Sequence, residues 1–265
     1  VNSSHPPRAI TYGDYLALDE LLAAQRPRSD AHDELLFIVI HQVYELWFKQ
    51  LLHEGAWLQG RLDAGETADA MATIGRMLTI LKTVVAQVDV LETMMPAQFA
   101  AFRGELDSSS GFQSAQFRGI EILLGRRDES ILRPHAPGSE AHRTLSSAMS
   151  SPSLLDSLLA HLARRGHPVP AEVLDRDVRE PYAPSPAVGA AVLSAYRSGG
   201  GDAQLCERFV DLDEGVMEWR YRHVQMVRRM IGDLPGTGGS AGVGYLASTL
   251  MTPAFGDLWS IRGQL

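Results

Sequence analysis

The longest inward-facing pattern in the chain runs from residue 205 to residue 230. Leu205, Phe209, Leu212, Val216, Trp219, Met226 and Met230 fall three and four apart, so one stripe of a long helix faces a core. His223 takes a place on that stripe. The helix is expected to stop near Gly232, where Asp233-Leu234-Pro235-Gly236 supplies a breaker and a turn. A second long helix is predicted from about Asp30 past Trp57. Phe37, His41, Tyr44, Phe48 and Leu51 form one stripe and Leu36, Ile40, Val43 and Trp47 another, so it is expected to be buried on most of its surface, at the centre of a bundle. A third pattern spans 67–95 through Ala70, Ile74, Met77, Leu81, Val84, Val88 and Leu91, with Thr67 as its expected N-cap.

Shorter helices fill the rest. Tyr15, Leu18 and Leu22 share a face near the start, 97–104 sets Phe99 and Arg103 four apart, and 112–125 and 153–165 complete the set. Prolines cut the stretch from Arg126 to Gly200 into short pieces, and 198–201 (Ser-Gly-Gly-Gly) reads as a small linker. Alternating strand patterns are absent. The fold class is therefore all-α, a bundle of long helices with an insertion of short ones.

Length and composition narrow the possible functions. A chain of 265 residues that is 45% hydrophobic can bury a large core, and a single domain over 1–265 is expected. The formal charge of −8, with a pI near 5.6, argues against nucleic acid or an anionic membrane as partner, since both require a basic face. There is no unbroken run of 18 apolar residues, and the first residues lack the basic-then-apolar order of a signal peptide. A soluble, cytoplasmic protein is expected. The single cysteine, Cys206, leaves no disulfide framework and no cysteine-clustered metal site, and without Cys-x-x-Cys-His a haem would be held non-covalently.

Three features carry candidate chemistry. His223 precedes the loop Gly236-Thr237-Gly238-Gly239-Ser240, whose backbone N–H groups can wrap a ligand; His41 shares a face with Phe37; Arg103 shares one with Phe99. A histidine on an apolar stripe is most often a core residue bonded to a carbonyl, and an arginine on a short helix is most often exposed. Taken together, the three support one histidine on a haem iron, another hydrogen-bonded to a ligand, and an arginine forked onto a carboxylate. A non-haem iron site on His32, His41 and Glu45 is the rival within catalysis. His32 lies nine residues from His41, on a different helical face, which weakens it. A helical haem-binding sensor is the non-enzyme alternative.

Four sequence blocks resemble the tryptophan 2,3-dioxygenase family. They are Tyr12-Gly13-x-Tyr15-Leu16-x-Leu18-Asp19; His32-Asp33-Glu34-x-Leu36-Phe37-Ile38 running into His41-Gln42-x-x-Glu45-Leu46-Trp47-Phe48-Lys49-Gln50; Ser110-Gly111-Phe112-Gln113-Ser114-x-Gln116-Phe117-Arg118; and Trp219-Arg220 to His223 followed by Gly236-Thr237-Gly238-Gly239. The resemblance implies a haem b between helices, with His223 as the axial iron ligand and Gly238 and Gly239 beside the cofactor. It implies that His41 accepts the indole N–H, Arg103 holds the substrate carboxylate, Thr237 bonds the head group, and Phe37 and Phe99 wall the indole. Tyr12, Tyr15 and Leu16 would reach in from a neighbouring subunit of a homotetramer. The implied reaction inserts O2 across the indole C2=C3 bond of L-tryptophan to give N-formylkynurenine. The alternative is a relative that inserts one oxygen into tryptophan or a β-substituted tryptophan to give a 2-oxindole.

Overall fold

A computed structural model of the chain describes residues 9–232, 234, 244, 247 and 250–265, and no strand occurs among them. In chain order the α-helices are α1 (Tyr12–Leu16), α2 (Leu18–Leu22), α3 (His32–Asp63), α4 (Thr67–Leu91), α5 (Pro96–Arg103) and α6 (Ala115–Leu123). They continue with α7 (Glu140–Met149), α8 (Leu154–Arg164), α9 (Ala171–Leu174), α10 (Pro186–Ser198), α11 (Gly200–Ile231) and α12 (Gly256–Ser260). The all-α expectation holds.

The three long patterns became α3, α4 and α11, and α4 packs along both of the others. Their buried faces belong to one core, in which Leu58, Leu62, Ala70, Ile74, Val84, Leu205 and Phe209 have no exposed surface. Residues that small or that well spaced let helices approach closely. A Cβ on Gly215 of α11 would lie 3.3 Å from Leu78 and Leu81 of α4, and one on Gly55 of α3 would collide with Leu123 of α6.

Several expectations need correction. The burial of α3 follows one face, through Ile40, Tyr44, Phe48, Leu51, Leu58 and Leu62, while Leu35, Val39, Leu46 and Trp57 are exposed. The reason is that α4, α5, α6 and α8 cover only one side of it within a single chain. By length and composition α3 could also cross a membrane, yet its packed face is that of a bundle core. Thr67 is the first residue of α4 rather than its cap; Glu66 holds the cap position, and the Thr67 hydroxyl sits 3.3 Å from Nε2 of His161. The first pattern is two short helices broken at Ala17, which has φ +48. The 112–125 helix starts later, because a 3-10 turn over Gly111–Gln113 comes first and the Ser114 hydroxyl then caps α6. The stretch 198–201 is a tight helix-to-helix turn, made possible by Gly199 and Gly200 with φ +68 and +67.

The insertion is pinned to the bundle by one buried cation. The Arg127 guanidinium donates to the carbonyls of Val178 (2.6 Å), Ile122 (2.7 Å), Ser151 (2.8 Å) and Arg126 (3.1 Å). Burial pulls its pKa below the usual arginine range. Arg127→Met is expected to leave these carbonyls without their donor and lower the unfolding free energy by about 3 kcal/mol. Urea denaturation checks this: a midpoint equal to the parent's would mean that other donors serve the carbonyls.

Candidate active site

The C-terminal part of α11 and the N-terminal half of α3 line a cavity of about 260 Å³, joined by α5, α6, the loop at 110–114, Leu91 of α4, Met94 and Arg126. Phe37, His41, Tyr44, Glu45 and Phe48 line it from α3, Phe99 and Arg103 from α5, and Trp219, Arg220 and His223 from α11. Three of the expected site elements thus meet in one space: the two histidines and Arg103.

His41 is fixed by its own helix. Its Nδ1 lies 2.7 Å from the carbonyl oxygen of Phe37, one turn earlier. A carbonyl can only accept, so Nδ1 carries the proton and Nε2 keeps its lone pair. Burial lowers the pKa of His41 and holds it neutral. The Phe37 ring packs 4.0 Å from the imidazole, centre to centre, and Phe99 and Phe102 pack on Phe37 at 5.7 and 5.5 Å. This aromatic nest favours a flat apolar ligand beside a single acceptor.

His223 is held differently. Its ring stacks on Trp219, four residues earlier, at 5.1 Å and 6° between planes, and Trp219 is wedged against Phe117 at 4.7 Å. Desolvation above all, with the nearby His41 and Arg118 also opposing protonation, lowers its pKa to about 4. The imidazole is therefore neutral, lines the cavity, and makes no hydrogen bond to a described residue. A neutral imidazole with an uncommitted lone pair is a ligand for a transition metal.

The cavity wall carries Arg103, Arg118, Arg126 and Arg220 against Glu45 and Glu121, so its described charged residues have an excess of two positive charges. Glu121 is shared by Arg118 and by Arg126, the latter at 3.0 Å, and Arg126 also reaches Asp128 at 2.9 Å. Glu45 accepts from Nε2 of Gln116 at 2.9 Å. Two buried polar groups on this wall, the Tyr44 hydroxyl and the Trp219 indole nitrogen, find no hydrogen-bond partner among the described residues. Burial pushes the Tyr44 phenol up to about 12.

These features fit a haem. The group brings four of its own nitrogens to the iron, so it needs only one protein ligand, and His223 can be that ligand. No group of three or more His, Cys, Asp or Glu able to hold a metal ion occurs among the described residues, and His32 is exposed and does not line the cavity. That removes the geometric basis for a non-haem site on His32, His41 and Glu45. Arginines on the wall suit a group that carries propionates, and the apolar wall of Phe48, Phe117, Val224 and Val227 suits a porphyrin face.

Not every expected residue is at the cavity. Tyr12, Tyr15 and Leu16 lie on α1, exposed and away from it in the single chain. Thr237, Gly238 and Gly239 lie outside the described residues. Sequence reasoning missed Arg126 and Arg220 as lining groups, and Trp219 as the platform under His223. The signal for Trp219 was present, since it stands four residues before His223 on one helix face.

The chain matches the family model described as tryptophan 2,3-dioxygenase over residues 3–200 and 196–265. It is 63% identical over 257 residues to the tryptophan 2,3-dioxygenase of Anaeromyxobacter sp. (strain K), covering 97% of each chain. Its identity to the enzyme of that name from Herpetosiphon aurantiacus is 54%, over 97% of this chain and 99% of the relative. For that from Caulobacter vibrioides it is 50%, over 97% and 98%. With the whole length matched in this way, and with the two neutral histidines facing one cavity, the chain belongs to the tryptophan 2,3-dioxygenase family.

Proposed function

We infer that this chain is a haem-dependent dioxygenase of L-tryptophan, working as one domain over 1–265 and yielding N-formylkynurenine. The observation that carries this reading is the convergence of His41, His223 and Arg103 on a single cavity. The dioxygenase name of each relative cited above favours the two-oxygen outcome over a 2-oxindole, and a sensor would have no use for the amino-acid contacts.

In this reading His223 ligates the iron of a haem b, and Arg118 and Arg126 offer charge to its propionates. When bound, the haem supplies the iron that activates O2 for insertion across the indole C2=C3 bond. The chain supplies position and dryness. Phe37 and Phe99 wall the indole, and Nε2 of His41 accepts its N–H. An indole N–H is too weak an acid for imidazole to deprotonate fully, so His41 orients the ring rather than acting as a strong base. Arg103 forks onto the carboxylate, and Thr237 bonds the head group, with Gly238 and Gly239 giving it close approach to the cofactor. These contacts convert binding of the amino-acid end into orientation of the reacting ring.

Tyr12, Tyr15 and Leu16 are assigned to the neighbouring site of a homotetramer. Support comes from α1 and α2, which expose Tyr12, Tyr15 and Leu22 at 76%, 79% and 71%, from Ile10 just before them at 74%, and from the exposed apolar residues of α3. The acidic net charge agrees with a cytoplasmic protein that binds neither nucleic acid nor membrane.

Turnover of tryptophan under 18O2 is expected to give N-formylkynurenine carrying two labelled atoms. A product with one labelled atom at the indole C2 position would replace this reading with monooxygenation. His223→Ala is expected to lose stable haem binding, read as loss of the Soret band after gel filtration, because the porphyrin has no covalent tether. An unchanged ferrous spectrum would move the ligand elsewhere. Arg103→Ala is expected to weaken tryptophan by roughly 30- to 5,000-fold, the usual cost of about 2 to 5 kcal/mol for an unpaired buried charge. Indole analogues without a carboxylate should bind it as they bind the parent. Equal weakening of both would make Arg103 a folding residue.

A further inference from the structure

Two opposite charges on α11, two helical turns apart, grip one segment of backbone. Asp213 has 1% of its surface exposed and accepts three hydrogen bonds, from the amides of Ala254 (2.9 Å) and Phe255 (3.1 Å) and from the indole N–H of Trp259 (3.0 Å). Seven residues on, Arg220 donates to the carbonyl of Thr252 at 3.4 Å. Seven residues is nearly two full turns, so both side chains leave the same face of the helix. Arg220 also lines the cavity, three residues before His223, and the charge of Asp213 is among those that favour its charged form against the burial that opposes it.

The carboxylate is more than the segment requires for packing. Phe255, Leu258 and Ile261 are already buried in the main core, and Phe255 packs edge-on to Phe209 at 5.1 Å. Hydrophobic burial alone leaves such a segment free to settle by fractions of an ångström. A buried carboxylate with three directed donors does not, because each bond is charge-assisted and an unsatisfied one is costly. What that precision fixes is the Thr252 carbonyl, and through it the guanidinium of Arg220.

The geometry points to Asp213 as a positioning residue that, by way of the 252–259 segment, aims Arg220 at a carboxylate of a molecule bound in the cavity. This rests on the reading of the cavity as a haem and tryptophan site. The carboxylate chemistry is shared by a porphyrin propionate and by the amino acid, and the experiment separates the two sources.

Haem-free protein is titrated with haem and with haem dimethyl ester, followed by the Soret band. Haem-loaded protein is titrated with tryptophan and with 3-methylindole, which lacks both charges. Arg220→Gln is expected to weaken the charged member of one pair by about tenfold while sparing its uncharged partner, and that pair identifies the source. Asp213→Asn is expected to give a smaller selective loss, and the double variant is expected to be no weaker than Arg220→Gln alone, the signature of action through Arg220. If Asp213→Asn does not fold, Trp259→Phe removes one donor and keeps the carboxylate. It is expected to shift the same pair in the same direction by about threefold.

Equal loss for charged and uncharged ligands in both pairs, or no loss in either, overturns the assignment of Arg220. Additive losses in the double variant overturn the positioning role of Asp213. Retained selectivity in Arg220→Gln alongside haem loss in His223→Ala would sink this inference and leave the cavity reading intact.

Discussion

Desolvation of two imidazoles governs this molecule. His41 and His223 stand on α3 and α11, with α4 packed against both helices, and the apolar and aromatic wall around them holds each neutral. The roles proposed for them depend on that neutrality, since a protonated imidazole can neither accept a hydrogen bond nor ligate a metal. The two are not equally content. His41 satisfies one nitrogen on the Phe37 carbonyl, whereas among the described residues His223 has ring stacking with Trp219 and no hydrogen bond.

The arginines extend the same logic. Arg118 is 8% exposed and Arg127 7%, yet they solve burial by different means. Arg127 spends its donors on backbone carbonyls and ties the insertion to the bundle. Arg118 shares Glu121 with Arg126, and Arg126 also pairs with Asp128, so this cluster is held together by ion pairs beside the cavity. Water screens charges in such a wall only weakly, so a carboxylate that reaches these guanidiniums is attracted more strongly than it would be in solution.

Much of this was legible from spacing. Periods of three and four over 205–230 and 70–91 locate α11 and α4 because apolar burial is what sets those periods. The stripe through Phe37, His41 and Phe48 likewise placed cavity residues on a common face. The errors have physical causes. A side chain such as Leu46 is apolar whether it meets the core of its own chain or stays exposed, so the pattern overstated how much of α3 is covered. Arginine has one letter whether it is solvated or lines a cavity, which hid Arg126 and Arg220. Tyr44 and Trp219 were read by their apolar bodies, and their polar ends, unsatisfied at the cavity, gave no sign. Ala17 adopts a left-handed conformation that few alanines take, so the break between α1 and α2 had no composition signal.

The single helix α11 concentrates the remaining demands. Asp202 near its start is buried with His167 at 3.1 Å and Arg165 at 3.1 Å, Asp213 holds the 252–259 segment, and Arg220 and His223 face the cavity. At 1.5 Å per residue, Asp213 lies about 15 Å along the axis from His223. A helix fixed by charge at Asp202 and Asp213 cannot slide without breaking directed bonds, although ridges of apolar side chains alone would tolerate such a shift. Directed polar contacts away from the cavity thus supply what hydrophobic packing does not, a fixed axial register for the side chains that line it.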